Sequence, residues 1–519
     1  MPKRRLKRCV RMLLALVLLG VAFLLFERFR GQIALANYKK ELIAQGEKLS
    51  PQDFVAKFAE ADNGAPQVIS AIERLQRGTV MPHNPPPRMR LVLSGRAIVG
   101  FREPVWVDKG TFREGKWVNE TTTNHWEALA ADLTINQAVL AEIRAGLAKP
   151  VFNNQVDLRE GMKMKLQYLA PLKSLAPWLG ATSALALHEG KTQDALPPLL
   201  LQVQLPRTLA ADHILISELV RIAIAAIAKE STWEALQADG WQDADLAQLQ
   251  AAWQDQKFLT AMTHGLEGER VFGDVSAEMI RRSNENAISA IYGLQEMFGD
   301  ADDEAAWWRK WPGGESVVRF WRHQVYCRVW RFAWSHQEQR RYLEKMQELF
   351  EIAREAEQHK SYTKAAAALD GFAEGLVNRN FYAAWRFPGP EYPGMFPHAI
   401  KRAMRMETER SLTLTAIALQ RHFIHHGNYP AELDALIPEF LSSVPVDYMD
   451  GQPIKYRLNG DGTFALYSVG DDGRDDGGDL SLQPEKTRLR VLWDRKDYVW
   501  PAPATPEEVA EYRRQAGRN

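Results

Sequence analysis

A short acidic segment near the end of the chain carries the residue types best suited to binding a cation. The nine residues from Asp471 to Asp479, DDGRDDGGD, include five aspartates and three glycines. Calcium takes about six to eight oxygen ligands, and closely spaced carboxylates on a glycine-containing backbone allow one segment to surround the ion. The spacing is not that of an EF-hand, because Gly473 stands at the third position, where an oxygen ligand is needed. A solvated acidic turn is the alternative interpretation.

Two further groups of residues could take part in metal or acid–base chemistry. His264, Glu267 and Glu269 lie close together in HGLEGERVFGD, although such residues at a glycine-containing junction usually cap helices or face solvent. The second group is the run HFIHH, which has one-face helical spacing but no evident third ligand: His422, His425 and His426. Polar side chains are also favourable at the end of a helix. No nucleophile motif or phosphate-binding loop is present, so the sequence assigns no catalytic residue.

The acidic segment lies among elements with clear sequence signals. Before it, a helix with an apolar face that includes Leu412 and Leu419 is expected to end at Gly427. Two short strands then meet at NGDG, residues 459–462, which is a strong hairpin signal. The acidic segment follows the second strand directly. After it, the sequence predicts a strand over residues 489–493. The segment TPEEVAEYRRQ then predicts a final helix, with Thr505 and Glu508 in capping-box positions.

These motifs resemble the soluble domain of the major pseudopilins of bacterial type II secretion over roughly residues 407–482. That domain has a helix ending in a G-x-Y-P stretch, a P-x-D segment leading to a glycine turn and a strand, and a Y-S-x-G-x-D-G loop. The matching residues in this chain occur in the same order: Gly427, Tyr429, Pro430, Pro445, Asp447, Gly451, Tyr467, Ser468, Gly470, Asp472 and Gly473.

The resemblance implies a small α+β fold and a calcium site. It matches Asp472 to the first acidic ligand, and the stretch that supplies the other ligands contains Asp475, Asp476 and Asp479. The chain also departs from the family, because the hydrophobic segment of a pseudopilin runs directly into its soluble domain after a processed leader. Here the apolar segment lies about 380 residues upstream without that processing motif, and Tyr448 stands where the family usually has proline. Assembly into a filament is therefore not expected.

The N-terminus has the features of a membrane anchor. Six basic residues among the first eleven precede the uncharged run Met12 to Phe26. As a helix this run is about 22 Å long, and it can cross a hydrocarbon core of about 30 Å if Arg11 extends to the headgroups. An uncleaved anchor is favoured over a cleaved signal, because the A-x-A-like site at Ala34–Ala36 lies beyond several charged residues. The positive-inside rule then places the N-terminus in the cytoplasm and the remainder outside the bacterial inner membrane.

Between the anchor and residue 400 the sequence predicts an irregular α-helical array. The helices include one expected to begin at Ser50 and Pro51, and a hairpin with Gly190 at its turn and close packing at Ala195. That hairpin is weakly similar to tetratricopeptide units, but the 34-residue period does not recur. Residues 79–123 interrupt the array with a proline-rich loop and a β-hairpin, in which the strand VWV at 105–107 is expected to pair with Trp117 and Val118.

The segment from about Glu315 to Gln358 predicts one long helix in which arginines alternate with aromatic residues. Stacking and phosphate contacts in nucleic-acid binding need these groups. A hydrophobic core is the favoured interpretation, because five residues recur at helical spacing: Phe320, Tyr326, Val329, Trp330 and Ala333. The arginines would then cover the flanks, and Cys327 would be a small buried residue.

The composition, 46% hydrophobic and 25% charged with a formal net charge of zero over 519 residues, is that of a globular protein without overall attraction to nucleic acid. We predict a mainly α protein with a basic tip and transmembrane anchor (1–30), an α-helical domain with the inserted hairpin (31–400) and an α+β pseudopilin-like domain with a C-terminal helix (401–519). The expected role is a non-catalytic envelope scaffold that binds protein partners, in contact with a secretion or surface-assembly system. No nucleic acid and no small-molecule substrate is predicted. The alternative function is an envelope hydrolase with its site between the helical domain and the hairpin.

Overall fold

A computed structural model describes residues 2–92, 95–113, 116–122, 125–298, 314–377, 396–484 and 486–515. Its first helix, α1 (Pro2–Ala44), contains the apolar run and continues without a break into the rest of the protein. This helix is long and apolar enough to cross a membrane. The described part of the chain is mainly helical with small antiparallel sheets, which confirms the predicted fold class at that level.

The helical body consists of helices of 7 to 25 residues. They are α2 (Ala65–Glu73), α3 (Trp126–Ile135), α4 (Gln137–Leu147), α5 (Leu169–His188), α6 (Thr192–Gln204), α7 (Leu215–Ala235), α8 (Asp243–Gln254), α9 (Phe258–Arg282), α10 (Asn284–Phe298), α11 (Gly314–Phe320), α12 (Cys327–Ala333), α13 (Ser335–His359) and α14 (Tyr362–Val377). The predicted α5–α6 hairpin is confirmed, since Gly190 turns the chain with a positive φ of 72° and Ala195 is fully buried.

The predicted interruption after α2 is also present. It contains the short pair β1 (Arg90–Leu91) and β2 (Ala97–Ile98) and the longer hairpin β3 (Val107–Arg113) and β4 (Lys116–Thr122). The hairpin register differs from the expectation, because Trp117 pairs with Phe112 and Val118 with Thr111, while Val107 pairs with Thr122.

Three further sequence predictions about local structure are wrong. The helix expected from Ser50 is a single 3-10 turn, Pro51–Phe54, although Ser50 caps it as predicted. The expected strand over residues 489–493 is absent, and a 3-10 turn, Leu492–Asp494, leads to the actual strand a few residues later. The long helix from residue 315 is divided into α11, a π-helical stretch (Trp321–Tyr326), α12 and α13, with a break at Trp334.

The C-terminal region is built on the long helix α15 (Phe396–His426), which ends where predicted at Gly427, with φ 72°. Three antiparallel strands follow in the order β5 (Lys455–Leu458), β6 (Phe464–Ser468) and β7 (Tyr498–Val499). The NGDG turn joins β5 to β6 as expected. The last helix is α16 (Pro506–Gln515), capped by the predicted pair, since Thr505 N donates to Glu508 Oε2 at 2.8 Å.

One hydrophobic core extends from the helical body into the C-terminal region. Leu175 and Trp233 of the body share this core with Leu466 of β6 and Trp493. Helix α15 is buried along most of its length, and it contacts α7, α8 and α9 as well as β6. Trp233 Nε1 donates a hydrogen bond to the carbonyl oxygen of Pro501 at 2.8 Å. The acidic loop is therefore positioned by a core that the helical body and the C-terminal region share.

Candidate functional site

A buried carboxylate outside the acidic loop joins three parts of the C-terminal region and holds the residue that precedes the loop. Asp447, in the P-x-D segment, accepts hydrogen bonds from Met449 N at 3.0 Å and from Val469 N, at the end of β6, at 3.0 Å. Thr408 Oγ1 on α15 donates to the same carboxylate at 3.2 Å. Burial raises the pKa of Asp447, while the backbone N–H groups of Met449 and Val469 oppose the rise. The carboxylate thereby fixes the start of the loop to α15.

Ion pairs hold the next residue of the loop to the same helix. Arg405 Nε donates to Asp471 Oδ1 at 2.8 Å, and its second nitrogen contacts Asp471 Oδ2. Lys401 Nζ lies 3.2 Å from that second oxygen. Two cations thus neutralise Asp471, so this residue is part of the scaffold of the loop.

The four predicted ligands follow in a series of tight turns. Asp472 is exposed and accepts a hydrogen bond from Arg474 N at 3.0 Å. Asp475 accepts from Gly477 N at 3.0 Å and from Tyr467 Oη at 3.1 Å. Such local bonds are typical of aspartate in turns, and Asp476 beside them is exposed.

The fourth predicted ligand, Asp479, is engaged on both oxygens. Ser481 N donates to Oδ1 at 2.9 Å, while Ser481 Oγ and Lys496 Nζ bind Oδ2 at 2.8 and 2.9 Å. These bonds, led by the backbone N–H of Ser481, lower the pKa of Asp479 to about 2. The carboxylate is therefore ionised at all physiological pH values. A metal cation would have to compete with the ammonium group of Lys496 for Asp479 Oδ2.

A further buried carboxylate, which the sequence did not suggest, lies beneath the loop. Asp497, just before β7, is fully buried, and its Oδ2 accepts hydrogen bonds from Gly478 N and Asp479 N, both at 2.8 Å. Its Oδ1 makes no hydrogen bond of acceptable geometry among the described residues, although the backbone N–H of Asp476 also acts on this carboxylate. Burial raises the pKa of Asp497. A buried carboxylate oxygen without a donor is costly, and a bound cation would remove that cost.

Within the described residues, no group of three or more His, Cys, Asp or Glu side chains is arranged to hold a metal ion. The calcium site of Asp472, Asp475, Asp476 and Asp479 stays a prediction. The loop supplies carboxylates and backbone carbonyls, the ligand types that calcium prefers. The loop could supply the number of ligands that calcium requires only if the hydrogen bonds within its turns and the contact between Asp479 and Lys496 were broken.

A buried ion pair that the sequence did not reveal connects the helical body to β7. Lys229 Nζ on α7 donates to Glu409 Oε2 on α15 at 2.7 Å and to Tyr498 Oη at 2.8 Å. Trp493 Nε1 donates to the other oxygen of Glu409 at 2.6 Å. Burial alone would lower the pKa of Lys229, but the neighbouring carboxylates raise it above its ordinary value. This network fixes β7, and with it Asp497, against α7.

The candidate acid–base residues of the helical body take separate partners. Glu267 pairs with Lys48 at 3.0 Å, and His264 is exposed. Glu269 is buried and accepts a hydrogen bond from Leu215 N at the start of α7, at 3.3 Å. Burial raises the pKa of Glu269 to about 7. The carboxylates therefore serve a surface pair and a helix start, and these contacts supply no argument for the hydrolase.

The three histidines at the end of α15 also have structural partners. His422 Nδ1 lies 2.9 Å from the carbonyl oxygen of Asn428, and the rings of His422 and His426 are 4.3 Å apart. His425 lies within 3.5 Å of Asp243 and 3.7 Å of Glu439. The three histidines thus lie at the end of α15, where a polar or cationic side chain interacts favourably with the helix dipole.

Comparison with known proteins gives no relative for this chain. No protein-family model matches it, and neither a curated protein nor a solved structure matches it. The function is therefore argued from the residues and their geometry.

Proposed function

We propose that the protein is a membrane-anchored scaffold of the bacterial envelope, with its N-terminus in the cytoplasm and its body outside the inner membrane. The observation that carries the proposal is the continuity of α1, which leaves the apolar run and packs along α13 without a flexible linker. An enzyme that needs only to be retained at a membrane can be tethered loosely. A helix shared by anchor and body instead fixes the body at one height and orientation, which suits the presentation of surfaces to partners.

The contacts along α1 support this rigid connection. Leu35 and Leu42 are buried against Leu343 of α13. Just beyond the helix, Glu47 accepts hydrogen bonds from Arg270 at 2.9 Å and from Arg354 at 2.7 Å. Those arginines lower the pKa of Glu47 to about 2 against the opposing effect of burial. Cleavage at Ala34–Ala36 would remove Leu35 from this packing, so the contacts favour a retained anchor.

The anchor and its orientation can be tested in the full chain. Alkaline carbonate should leave the protein in the inner-membrane fraction, and a cysteine replacing the exposed Val55 should react with a membrane-impermeant maleimide from the periplasmic side. Cys9→Ser and Cys327→Ala provide a cysteine-free background. Extraction by carbonate, or labelling only after lysis, would contradict the proposal.

The scaffold role needs a second experiment in the native membrane. A flexible Gly-Ser insertion after Phe29 should keep the protein in the membrane but change its orientation relative to neighbours. Crosslinking should then recover a reproducible set of envelope proteins with the wild-type chain and lose it with the insertion. The same insertion within the exposed NGDG turn, residues 459–462, is the matched control. Identical neighbours with both insertions would refute the importance of the rigid anchor.

We further propose that calcium binds the acidic loop and stabilises the C-terminal region. The support comes from the buried Asp497, whose Oδ1 makes no hydrogen bond of acceptable geometry among the described residues, and from the exposed carboxylates of Asp472 and Asp476 in the loop above it. Calcium would supply a divalent positive charge to these oxygens. It would do so in competition with Lys496, which already binds Asp479.

The calcium prediction is tested on the full chain, because α15 and the strands share their core with the body. Calcium at millimolar concentration should raise the Tm relative to chelator, since a ligand that binds only the native state stabilises it. Asp472→Ala and Asp497→Asn should abolish the rise, whereas Lys496→Met should enlarge it by removing the competing cation. Asp461→Ala, in the exposed β5–β6 turn, is the control that should leave the rise intact. No calcium-dependent shift in the wild type would refute the site.

A further inference from the structure

Two packed helical segments lie on the side of the body from which α1 emerges. They are α10 and the continuous helical segment 314–333, and we call this pair the membrane-side hairpin. Its two arms share a small core containing Ala287 and Ile291 of α10 and Cys327 and Trp330 of α12. Asn284 Nδ2 also donates to the carbonyl oxygen of His323 at 2.9 Å.

The position of this hairpin along α1 follows from the contacts of α13. Gln337 Nε2 donates to the carbonyl oxygen of Glu27 at 3.0 Å, and Arg354 binds Glu47, so α1 and α13 run in the same direction. The residues that precede α13 therefore lie toward the apolar run of α1. Arg28 directly confirms this placement, because it donates to the carbonyl oxygen of Phe332 at 3.3 Å and lies 4.8 Å from the centre of that ring.

The small core of the hairpin also contacts the apolar run itself. Leu24, two residues before the end of that run, packs against the cluster that includes Trp330. If α1 crosses a membrane, the hairpin accordingly lies at the level at which α1 leaves it. From Phe332 back to Val317 the helical segment extends over about 22 Å, at 1.5 Å per residue.

The outer face of the segment 314–333 is apolar and exposed, contrary to the predicted core. Phe320 was expected to be buried, yet 64% of its surface is exposed, and Val317 is 68% exposed. Trp321, Val325 and Phe332 are also exposed. Of the five residues expected in the core, Tyr326, Trp330 and Ala333 are buried and Val329 is half-buried. A patch of large exposed apolar side chains on a soluble surface is unusual and marks a contact surface.

Basic side chains lie on the same segment. Arg319 and Arg328 are exposed, and Arg322 and Arg331 are partly exposed. Tryptophan, phenylalanine and arginine together are typical of helices that lie in the interface between lipid headgroups and acyl chains. Aromatic rings bury in the interface, and guanidinium groups reach lipid phosphates.

We infer that the membrane-side hairpin is a second membrane-contacting element, which inserts the exposed apolar face of residues 314–333 into the leaflet where α1 leaves the bilayer. The inference rests on the proposed anchoring by α1. The occupant of the apolar face is lipid, because the face is continuous with the apolar run through Leu24 and Arg28 and carries cations complementary to phosphate headgroups. Two attachments at one level would also fix the rotation of the body about α1.

The inference can be tested with the full chain in vesicles of phosphatidylethanolamine and phosphatidylglycerol. In the Cys9→Ser, Cys327→Ala background, an environment-sensitive fluorophore is placed at Phe320→Cys and, in a second variant, at Val317→Cys. The matched control is Ile216→Cys, which is 46% exposed on α7. This region lies near His213, whose ring contacts Phe54 beyond the far end of α1. From Arg28 to Ala44, α1 rises about 24 Å, so the control site should be distant from lipid.

Lipid-borne spin labels should quench the fluorophore at residues 320 and 317 severalfold more than at residue 216, and aqueous iodide should show the reverse order. Equal access of iodide to all three positions, with the chain still retained after carbonate, would overturn the hairpin contact alone. Protection at residue 320 that disappears when the chain is diluted with lipid would replace lipid by a second copy as the occupant. Release of the chain by carbonate would overturn the anchor and the hairpin contact together.

Discussion

Replacing Lys229 with methionine should destabilise the protein by about 3–5 kcal/mol at pH 7. Lys229 and Glu409 are both almost fully buried and 2.7 Å apart, so the change leaves a buried carboxylate without its cation. The matched control is Lys48→Met, because Lys48 pairs with Glu267 at 3.0 Å with about half of its side chain exposed. Loss of such a surface pair should cost less than about 1 kcal/mol.

The sign of the pH dependence provides a second test of the same change. A buried carboxylate without a cation is neutralised more easily than a carboxylate in the unfolded chain, so the native variant binds more protons than the unfolded variant. Its stability should therefore fall as the pH rises above about 4.5, and its deficit relative to wild type should be smallest in acid. Adding Glu409→Gln should recover much of the loss at pH 7, since the amide oxygen can still accept the hydrogen bond of Trp493.

The assay is urea unfolding of the full chain in detergent, followed by tryptophan fluorescence at several pH values. Equal losses for Lys229→Met and Lys48→Met at pH 7 would refute the argument from burial. A loss that did not shrink in acid would show that the deficit comes from packing rather than from the unpaired charge.

Two further predictions concern stability. Burial raises the pKa of Glu269 to about 7, above its value in the unfolded chain. The stability of the wild type should therefore fall as the pH rises between about 4.5 and 7. In urea titrations, Glu269→Gln should become more stable than the wild type across this window, by up to about 3 kcal/mol at its upper end. Gly470→Ala should cost more than Gly477→Ala in thermal unfolding, because both residues have positive φ but only at Gly470 would a Cβ overlap a backbone atom, the carbonyl oxygen of Lys496. Equal effects in either comparison would contradict the stated cause.

Local signals in the sequence predicted the elements that depend on neighbouring residues. The caps at Ser50, Gly427 and Thr505, the turn at Gly190 and the NGDG hairpin are all present. Each is determined by backbone conformation and by hydrogen bonds within a few residues, so the local sequence contains the necessary information. The apolar run of α1 was identified for the same reason, because length and composition alone define such a segment.

The helical spacing of apolar residues was a less reliable guide to burial, because a face packed in a protein core and a face left exposed can show the same spacing. The apolar residues of the segment 314–333 recur at helical spacing, which correctly predicted helical structure. The pattern did not distinguish a face buried in protein from a face left exposed, and Phe320 belongs to the second kind. Hydrophobic spacing reports which side chains avoid water, whereas the surface that covers them depends on the rest of the fold.

The sequence by itself determined the acidic composition of the loop, the apolar helix and the order of elements around them, because these follow from residue type and short-range geometry. Only the tertiary structure placed Asp497 beneath the loop, Asp447 between β6 and α15, and Lys229 against Glu409. These pairs are separated by 18 to 180 residues along the chain. Their meeting depends on how α7, α15 and the strands share one core, and no local pattern encodes that arrangement.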